Sequence, residues 1–502
     1  MIRPHSIFLL VPIFGTIALN LCCAQTRATQ EFNSLVDETR QLVQARMEQY
    51  QIPGVAAAVF NQDRTLWLEC FGIEDLSERR AITPGTVFSI QSVSKTVTAT
   101  AIMMAVDDDR VRIDAPITNY LPDLALNSVF ERAPEQKITL RHLLNHTAGL
   151  TGETTGGNNS NAGNLPFSEY AKTIRQTWLV APVGTKHLYS NISFDLAGEI
   201  LQRVYSHPYA KVIAQKLFQP LGMSKSFVDT AESNGLSPHV AQGHSPTYSK
   251  LPHYIPMSAS GGVRMSIEDA VRFVQFHLNR GRVDGKPLMN PTLFDTMYRR
   301  SIRVTSGGDS VWYGLGVNSW IEAGTYAVAH HGAGFGFRCV MKWYPEYGIG
   351  VVMMANGFDV AFVDWEATRN VLREMVERRI VKKKRGAVSR AAFTSATPRS
   401  FVSDKPPTPR LIPQPFQSDW EQYIGRYRRV YGGGFERSPT AEPEPDGFVS
   451  KKDGHLVLEI DGIEERLFEQ EPGLFFCENL GEALDLRRKP YTVGNVRLKK
   501  IE

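Results

Sequence analysis

Phe88-Ser89-Ile90-Gln91-Ser92-Val93-Ser94-Lys95-Thr96 sets a serine and a lysine three residues apart, at the head of an apolar run that only Thr98 and Thr100 interrupt before Val106. The run predicts a buried helix beginning near Ser92. Positions i and i+3 share a helix face, so the Ser92 hydroxyl and the Lys95 amine are expected to meet. A serine is a weak nucleophile until a base takes its proton, and a lysine serves once burial lowers its pKa. The partial positive charge at a helix start also favours an alkoxide. A chain of this size should hold roughly two Ser-x-x-Lys pairs by chance. This one holds a single pair, at the mouth of the helix.

The 502 residues exceed what one simple core needs, so two domains are expected. Hydrophobic content of 42% and charged content of 22% describe an ordinary globular chain, and a net charge of +4 gives no reason to propose nucleic acid as a partner. The one basic cluster, Lys382-Lys383-Lys384-Arg385, follows a helical pattern, where cations suit the helix end. Arg3 and His5 precede an apolar run from Ile7 to Leu21, and Cys22-Cys23-Ala24 offers small residues for cleavage before Gln25. Residues 1–24 therefore read as a signal peptide, and the mature protein as exported, periplasmic or secreted, with no stable membrane insertion. Lipid anchoring at Cys22 is the weaker alternative, because Leu21 is large where a lipoprotein signal takes a small residue. Cys70, Cys339 and Cys477 then remain, three thiols that cannot all pair. Cys70 and Cys339 sit in strand-like runs and read as buried structural residues.

Periodicity outlines the rest. Glu31 to Gln51 reads as a helix that Pro53-Gly54 ends, and Val55 to Phe60 and Thr65 to Phe71 as a hairpin turning at Asn61-Gln62-Asp63. Ile138 to Leu150 reads as a short helix stopping at Gly149. Thr151 to Leu165, rich in Gly, Asn and Thr, reads as a loop, either a surface excursion or a flap over a site. Helices follow at Phe194 to Val204, Tyr209 to Leu217 and Ile267 to Leu278, the last capped by Ser266. Strands are expected at Tyr313 to Trp320, Tyr326 to Ala329, Arg338 to Tyr344 and Ile349 to Met354, then a helix from Trp365 to Ile380. This order predicts an α+β domain over residues 30–380, an antiparallel sheet covered by helices. Residues 381–418, with Pro406-Pro407 and Pro413, read as a linker. Strands His455 to Ile460, Leu467 to Cys477 and Val493 to Lys500 make 419–502 a small all-β, barrel-like domain.

A Ser–Lys pair needs an oxyanion hole and a group to pass protons. His187-Leu188-Tyr189-Ser190-Asn191 holds the only Tyr-x-Asn among 17 tyrosines, just before a helix. A tyrosine beside an ammonium can act as general base, and the asparagine amide can bond a substrate amide. A buried tyrosine bonded to backbone is the plainer alternative. His330-His331-Gly332-Ala333-Gly334-Phe335-Gly336-Phe337 lies between two strand-like runs. A strand follows it, which excludes a dinucleotide loop, and a glycine on a strand edge lets a substrate backbone lie close.

Ser92-x-x-Lys95, Tyr189-x-Asn191 and His330-x-Gly332, in this order, resemble the three motifs of the serine β-lactamase and penicillin-binding protein superfamily. The Tyr-x-Asn form resembles its class C β-lactamase-related branch, which includes D,D-carboxypeptidases, D-aminopeptidases and esterases. Leu143-Leu144-Asn145-His146-Thr147-Ala148-Gly149-Leu150, Pro220-Leu221-Gly222-Met223 and Tyr313-Gly314-Leu315-Gly316 are further matches. The resemblance runs from about Leu35 to Ile380. It implies a β-lactamase/transpeptidase-like fold with Ser92 as the acylated nucleophile. It also implies that Lys95 and Tyr189 share the proton transfers, leaving open which is the base. Asn191 would orient the substrate, and the N–H groups of Ser92 and Ala333 would form the oxyanion hole. No metal or organic cofactor is implied.

The third motif departs from the true β-lactamases. A lysine there is a permanent cation for a substrate carboxylate, whereas His330 is largely neutral at pH 7. His-x-Gly resembles the D-aminopeptidase and esterase-like branches, some with C-terminal β-barrels, as residues after Ser418 and the Tyr423-Ile424-Gly425-Arg426-Tyr427 stretch suggest here. The expected partner is a small-molecule or peptide substrate, met through His330, Gly332, Ala333 and Asn191. The first reading is an exported acyl-serine hydrolase of small amides or esters, such as D-amino-acid peptides or short esters. A β-lactamase or D,D-carboxypeptidase is second, and a non-catalytic binding or sensor protein that kept the pocket is third. No feature selects an oligomeric state or a role for the C-terminal domain.

Overall fold

The computed structural model describes residues 13–128, 130–152, 166–230, 239–245, 248–251, 254, 256–304, 310–357, 367–384, 417–429, 436–437, 447–460, 463–471, 474–477, 482–486, 491–493 and 496–501. An eight-stranded antiparallel sheet organises the larger part. Its strands are β1 (Gly54–Asn61), β2 (Thr65–Gly72), β3 (Ile302–Val304), β4 (Val311–Tyr313), β5 (Asn318–Glu322), β6 (Thr325–Gly334), β7 (Phe337–Tyr344) and β8 (Ile349–Ala355), ordered β2-β1-β8-β7-β6-β5-β4-β3. The first hairpin thus joins the last strands, Val55 pairing with Ala355 and Asn61 with Ile349.

Both faces of this sheet are covered. The helices that frame the site and the cores include α1 (Ile13–Gln49), α2 (Ser94–Asp107), α3 (Leu140–Leu144), α4 (Asn191–Tyr205), α5 (Ser258–Gly261), α6 (Ile267–Leu278) and α7 (Ala367–Glu377). Alternate residues of a strand face opposite sides. Ala56, Ala58 and Phe60 of β1 join the large core with α2, α4 and α6, while Val55, Ala57 and Val59 join a second core with α1 and α7. Burial on both sides explains why β1 and β8 read as unbroken apolar runs. On the second side Arg378 bonds Glu38 at 2.7 Å, tying the chain just after α7 to α1.

The central helix α2 is buried from Ser94 to Ala105. Its threonines are satisfied inside: Thr96 Oγ1 donates to Gly316 O (2.8 Å) and Thr98 Oγ1 to Ala259 O (2.6 Å). A second all-β unit follows, an eight-stranded closed barrel in which Gly425–Arg429 pairs with Val496–Lys500. Trp420, Tyr427, Leu456, Leu458, Ile460 and Phe475 pack inside it.

Several elements differ from the sequence reading. Ser92 lies in a 3₁₀ turn, Gln91–Val93, just ahead of α2. The helix expected over Ile138 to Leu150 is only Leu140–Leu144, because His146 turns left-handed at φ 59°. The run Tyr313 to Trp320 is two strands around a turn closed by Gly314 N–H to Val317 O (2.8 Å). The strand expected to stop at Ala329 continues to Gly334, so the His-His-Gly-Ala-Gly motif is strand rather than a connection. Leu467 to Cys477 is a hairpin of two strands. The N-terminal helix starts at Ile13, inside the segment read as a signal peptide. Cys339 is buried as expected, whereas Cys70 is partly exposed. The loop of Thr151 to Leu165 beyond Gly152, and the linker from residue 385 to 416, lie outside the described residues.

Candidate active site

The turn that carries Ser92 is pinned from beneath. Ile90 N–H donates to Val263 O (3.1 Å), and Val263 N–H donates to Ser94 Oγ (3.0 Å). Gln91 takes a left-handed backbone at φ 50°, and its amide donates to Ser89 Oγ (2.8 Å). Such backbone strain in a non-glycine residue concentrates at functional sites. Ser92 emerges half-buried, and Lys95 stands one turn on, with 0% of its surface exposed.

Lys95 Nζ reaches three oxygens: Ser92 Oγ at 3.1 Å, Asn191 Oδ1 at 2.6 Å and Ser260 O at 2.9 Å. The last two can only accept. Ser92 Oγ can donate or accept, so it is the one partner with which a proton can be exchanged. As an ammonium, Lys95 donates three times and steadies a Ser92 alkoxide. As an amine, it keeps two donations and receives the serine proton.

The second motif is held by His146, a residue of the quoted Leu143 to Leu150 stretch to which the sequence assigns no role. His146 O accepts from Leu188 N–H (2.8 Å), and His146 Nδ1 accepts from Ser190 N–H (3.1 Å), gripping the chain on both sides of Tyr189. The His146 ring also lies against the Tyr189 ring at 4.4 Å. Ser190 then caps α4 by accepting from Ser193 N–H (3.2 Å), which starts the helix at Asn191 and aims the amide at Lys95. Tyr189 itself is 44% exposed, with Lys95 Nζ 4.8 Å from its ring centroid. It is therefore open to a substrate, not the buried tyrosine of the plainer alternative. Burial pushes the His146 imidazole well below its usual range.

The third motif closes the site. Pairing of β6 with β5 ends at Ala329, and the strand beyond lies against the Gln91–Val93 turn. A Cβ on Gly332 would stand 2.0 Å from Ile90 O, so the protein's own carbonyl, rather than a substrate backbone, demands this glycine. His330 and Gly332 face the helices, whereas Ala333 is exposed with its side chain on the other face. His330 is 2% exposed. Its Nδ1 lies 2.9 Å from His331 O, which can only accept, so Nδ1 carries the proton and Nε2 accepts from the Tyr313 hydroxyl at 2.9 Å. Burial, with Lys95 nearby, pushes this imidazole down to about 3. The residue expected to meet substrate is thus neutral and fully engaged within the protein.

Tyr313 and Ser260 also went unassigned. Tyr313 stands in the quoted Tyr-Gly-Leu-Gly stretch, which carried a signal. Ser260 acts through its carbonyl, which leaves no side-chain signature. Among the described residues no group of three or more His, Cys, Asp or Glu side chains could hold a metal ion.

The beta-lactamase family matches residues 39–373. The curated relatives include Protein flp of Staphylococcus aureus strain N315, 23% identical over 338 residues, 66% of this chain and 64% of that protein. An unguisins hydrolase, ungD', from Aspergillus campestris is 24% identical over 344 residues, covering 65% of this chain and 61% of the relative. Penicillin-binding protein 4 of Amycolatopsis lactamdurans is 26% identical over 326 residues, 62% of this chain and 82% of the relative. The chain thus spans less than two thirds of the length of the first two. Among solved structures, the octameric penicillin-binding protein homologue from Pyrococcus abyssi covers 92% of this chain and 99% of its own, with a TM-score of 0.56 and 19% identity, a likeness of fold.

Proposed function

The chain belongs to the beta-lactamase family, and on that premise we propose that it is an exported serine hydrolase that cleaves small amides or esters through an acyl-Ser92 intermediate. Ser92 Oγ attacks the substrate carbonyl while its proton passes to Lys95 or Tyr189. The N–H groups of Ser92 and Ala333 receive the oxyanion. Collapse expels the amine or alcohol, which takes the proton back, and water then hydrolyses the acyl-serine by the same transfers. Asn191 Oδ1 accepts from Lys95 Nζ at 2.6 Å, so a hydrogen bond from this side chain to a substrate carbonyl would be donated by Nδ2.

One observation carries the substrate class. The third-motif side chain is a buried, neutral imidazole bonded to Tyr313 and His331, so it supplies no cation for a substrate carboxylate. This favours D-amino-acid peptides or short esters over substrates recognised by a free carboxylate. The similarity to proteins named as penicillin-binding keeps a β-lactamase or D,D-carboxypeptidase as the second reading. Export rests on the charged and apolar pattern of residues 1–24. Among the described residues no helix is long and apolar enough to cross a membrane.

The test sets a p-nitrophenyl ester and a D-aminoacyl amide against a penicillin, with Ser92→Ala as control. The proposal expects Ser92-dependent turnover of the ester or amide and no lasting penicillin adduct, with an adduct appearing in His330→Lys. A wild type that acylates with penicillin and ignores both other substrates would overturn it.

A further inference from the structure

Behind Lys95 lies a buried carboxyl that the chemistry above does not use. Asp195 follows Asn191 by four residues on α4, so the two share a face. Asn191 meets Lys95 directly. Asp195 is fully buried and accepts from Ser260 N–H (3.0 Å) and from Ser260 Oγ (3.0 Å), and the carbonyl of this same Ser260 accepts from Lys95 Nζ at 2.9 Å. The connection is short because α4 and α5 nearly touch: a Cβ on Gly198 would stand 2.4 Å from the Ala259 Cβ.

We propose that Asp195 is a positioning residue for Lys95, holding the Ser260 carbonyl on the lysine and, when ionised, supporting positive charge on it. The inference rests on the reading of Ser92 and Lys95 as the acylation pair. A buried ammonium needs a compensating anion, and Asp195 stands across a single residue from Lys95, holding the Ser260 N–H and hydroxyl while the Ser260 carbonyl meets the lysine.

The groups facing Asp195 are Lys95 from α2, Ser260 from α5, Tyr170 from helix Phe167–Thr173 and Tyr209 from helix Tyr209–Ile213. Burial raises the Asp195 carboxyl to about 7, against the pull of its Ser260 hydrogen bonds and of Lys95. Its charge therefore changes near neutrality, whereas an ordinary carboxylate is ionised from about pH 4 upward. Above that range the charged network is complete. Below it the carboxyl is neutral, and Lys95 loses its support.

The experiment is the pH profile of kcat and KM for ester hydrolysis by the full chain, its Asp195→Asn and Ser260→Ala variants, and Ser92→Ala. Asp195→Asn is expected to lower kcat about tenfold to a hundredfold at alkaline pH, the worth of one hydrogen bond to a charged group. Its KM should hold, and the acid limb near neutrality should vanish. Ser260→Ala removes one bond to the carboxylate and keeps the backbone link, so its acid limb should move to higher pH. A purely structural role would lower melting temperature and leave the limb in place. An acid limb unmoved in both variants overturns the inference while leaving the acyl-serine reading intact. Absence of any Ser92-dependent turnover in the wild type refutes that reading, and this inference falls with it.

Discussion

Replacing Gly332 by alanine tests whether the third-motif strand is seated on the nucleophile turn. The added Cβ would stand 2.0 Å from Ile90 O and 3.0 Å from the Ile90 carbonyl carbon, both backbone atoms. An ordinary carbon–oxygen contact is about 3.3 Å, so the strand must withdraw by roughly 1.3 Å. Ala333, next along β6, moves with it. Withdrawal of one oxyanion donor costs about a hundredfold to a thousandfold in kcat, roughly 3–4 kcal/mol. Overpacking costs about 1–3 kcal/mol of stability in addition. Steady-state ester hydrolysis beside a thermal melt should therefore show kcat collapsing while KM changes little and the melt drops by several degrees. A folded variant with kcat within a small factor of wild type would refute the apposition of Gly332 and Ile90.

Lys95→Met keeps the stem and removes the ammonium, and turnover should fall about a hundredfold to ten-thousandfold; a smaller loss would mean that Tyr189 manages the proton alone. Arg264 and Asp229 form a buried pair at 2.9 Å beside the strand that supports the nucleophile turn. Arg264→Met should destabilise the fold by about 3–5 kcal/mol, and an unchanged denaturant midpoint would count against that. Burial holds His330 and His277 at about 3, His187 at about 4 and His146 well below its usual range. The unfolded chain takes up protons below about pH 6.5 where these folded imidazoles do not. Their contribution is complete above that pH and is lost as pH falls towards the folded values. Burial also lowers His142 and His244, whereas Asp195, raised to about 7, and Asp269, also raised by burial, act with the opposite slope, two groups against six. The melting temperature should fall between about pH 6.5 and 4, and a flat profile there would contradict the buried neutral imidazoles.

The Ser92–Lys95 juxtaposition was legible because it is local: three residues fix which side chains share a face, whether the turn is α or 3₁₀. Tyr189-x-Asn191 was legible for the same reason, since Ser190 is a capping residue that starts a helix. His330 was found as a position, while its condition was not, because its neutrality comes from Tyr313 on a different strand. Gly332 was read as room for substrate, yet the crowding atom belongs to Ile90, far away in the chain. His146 stands in the quoted Leu143 to Leu150 stretch, but its role stays hidden there, because its ring and carbonyl clamp residues 188 and 190, which are distant in the chain. In the fold, two-sided burial made β1 and β8 plain as apolar runs. The end of β6 stayed hidden because its glycines imitate a loop.

The central claim is an acyl-enzyme on Ser92. The direct measurement is rapid-quench intact mass of the wild type with a p-nitrophenyl ester, followed by peptide mapping, alongside Ser92→Ala. Acylation of Ser92 gives a transient mass increase equal to the acyl group, mapping to the peptide containing Ser92 and absent from the variant. Ester turnover with no such adduct, or an adduct that persists in Ser92→Ala, would contradict it.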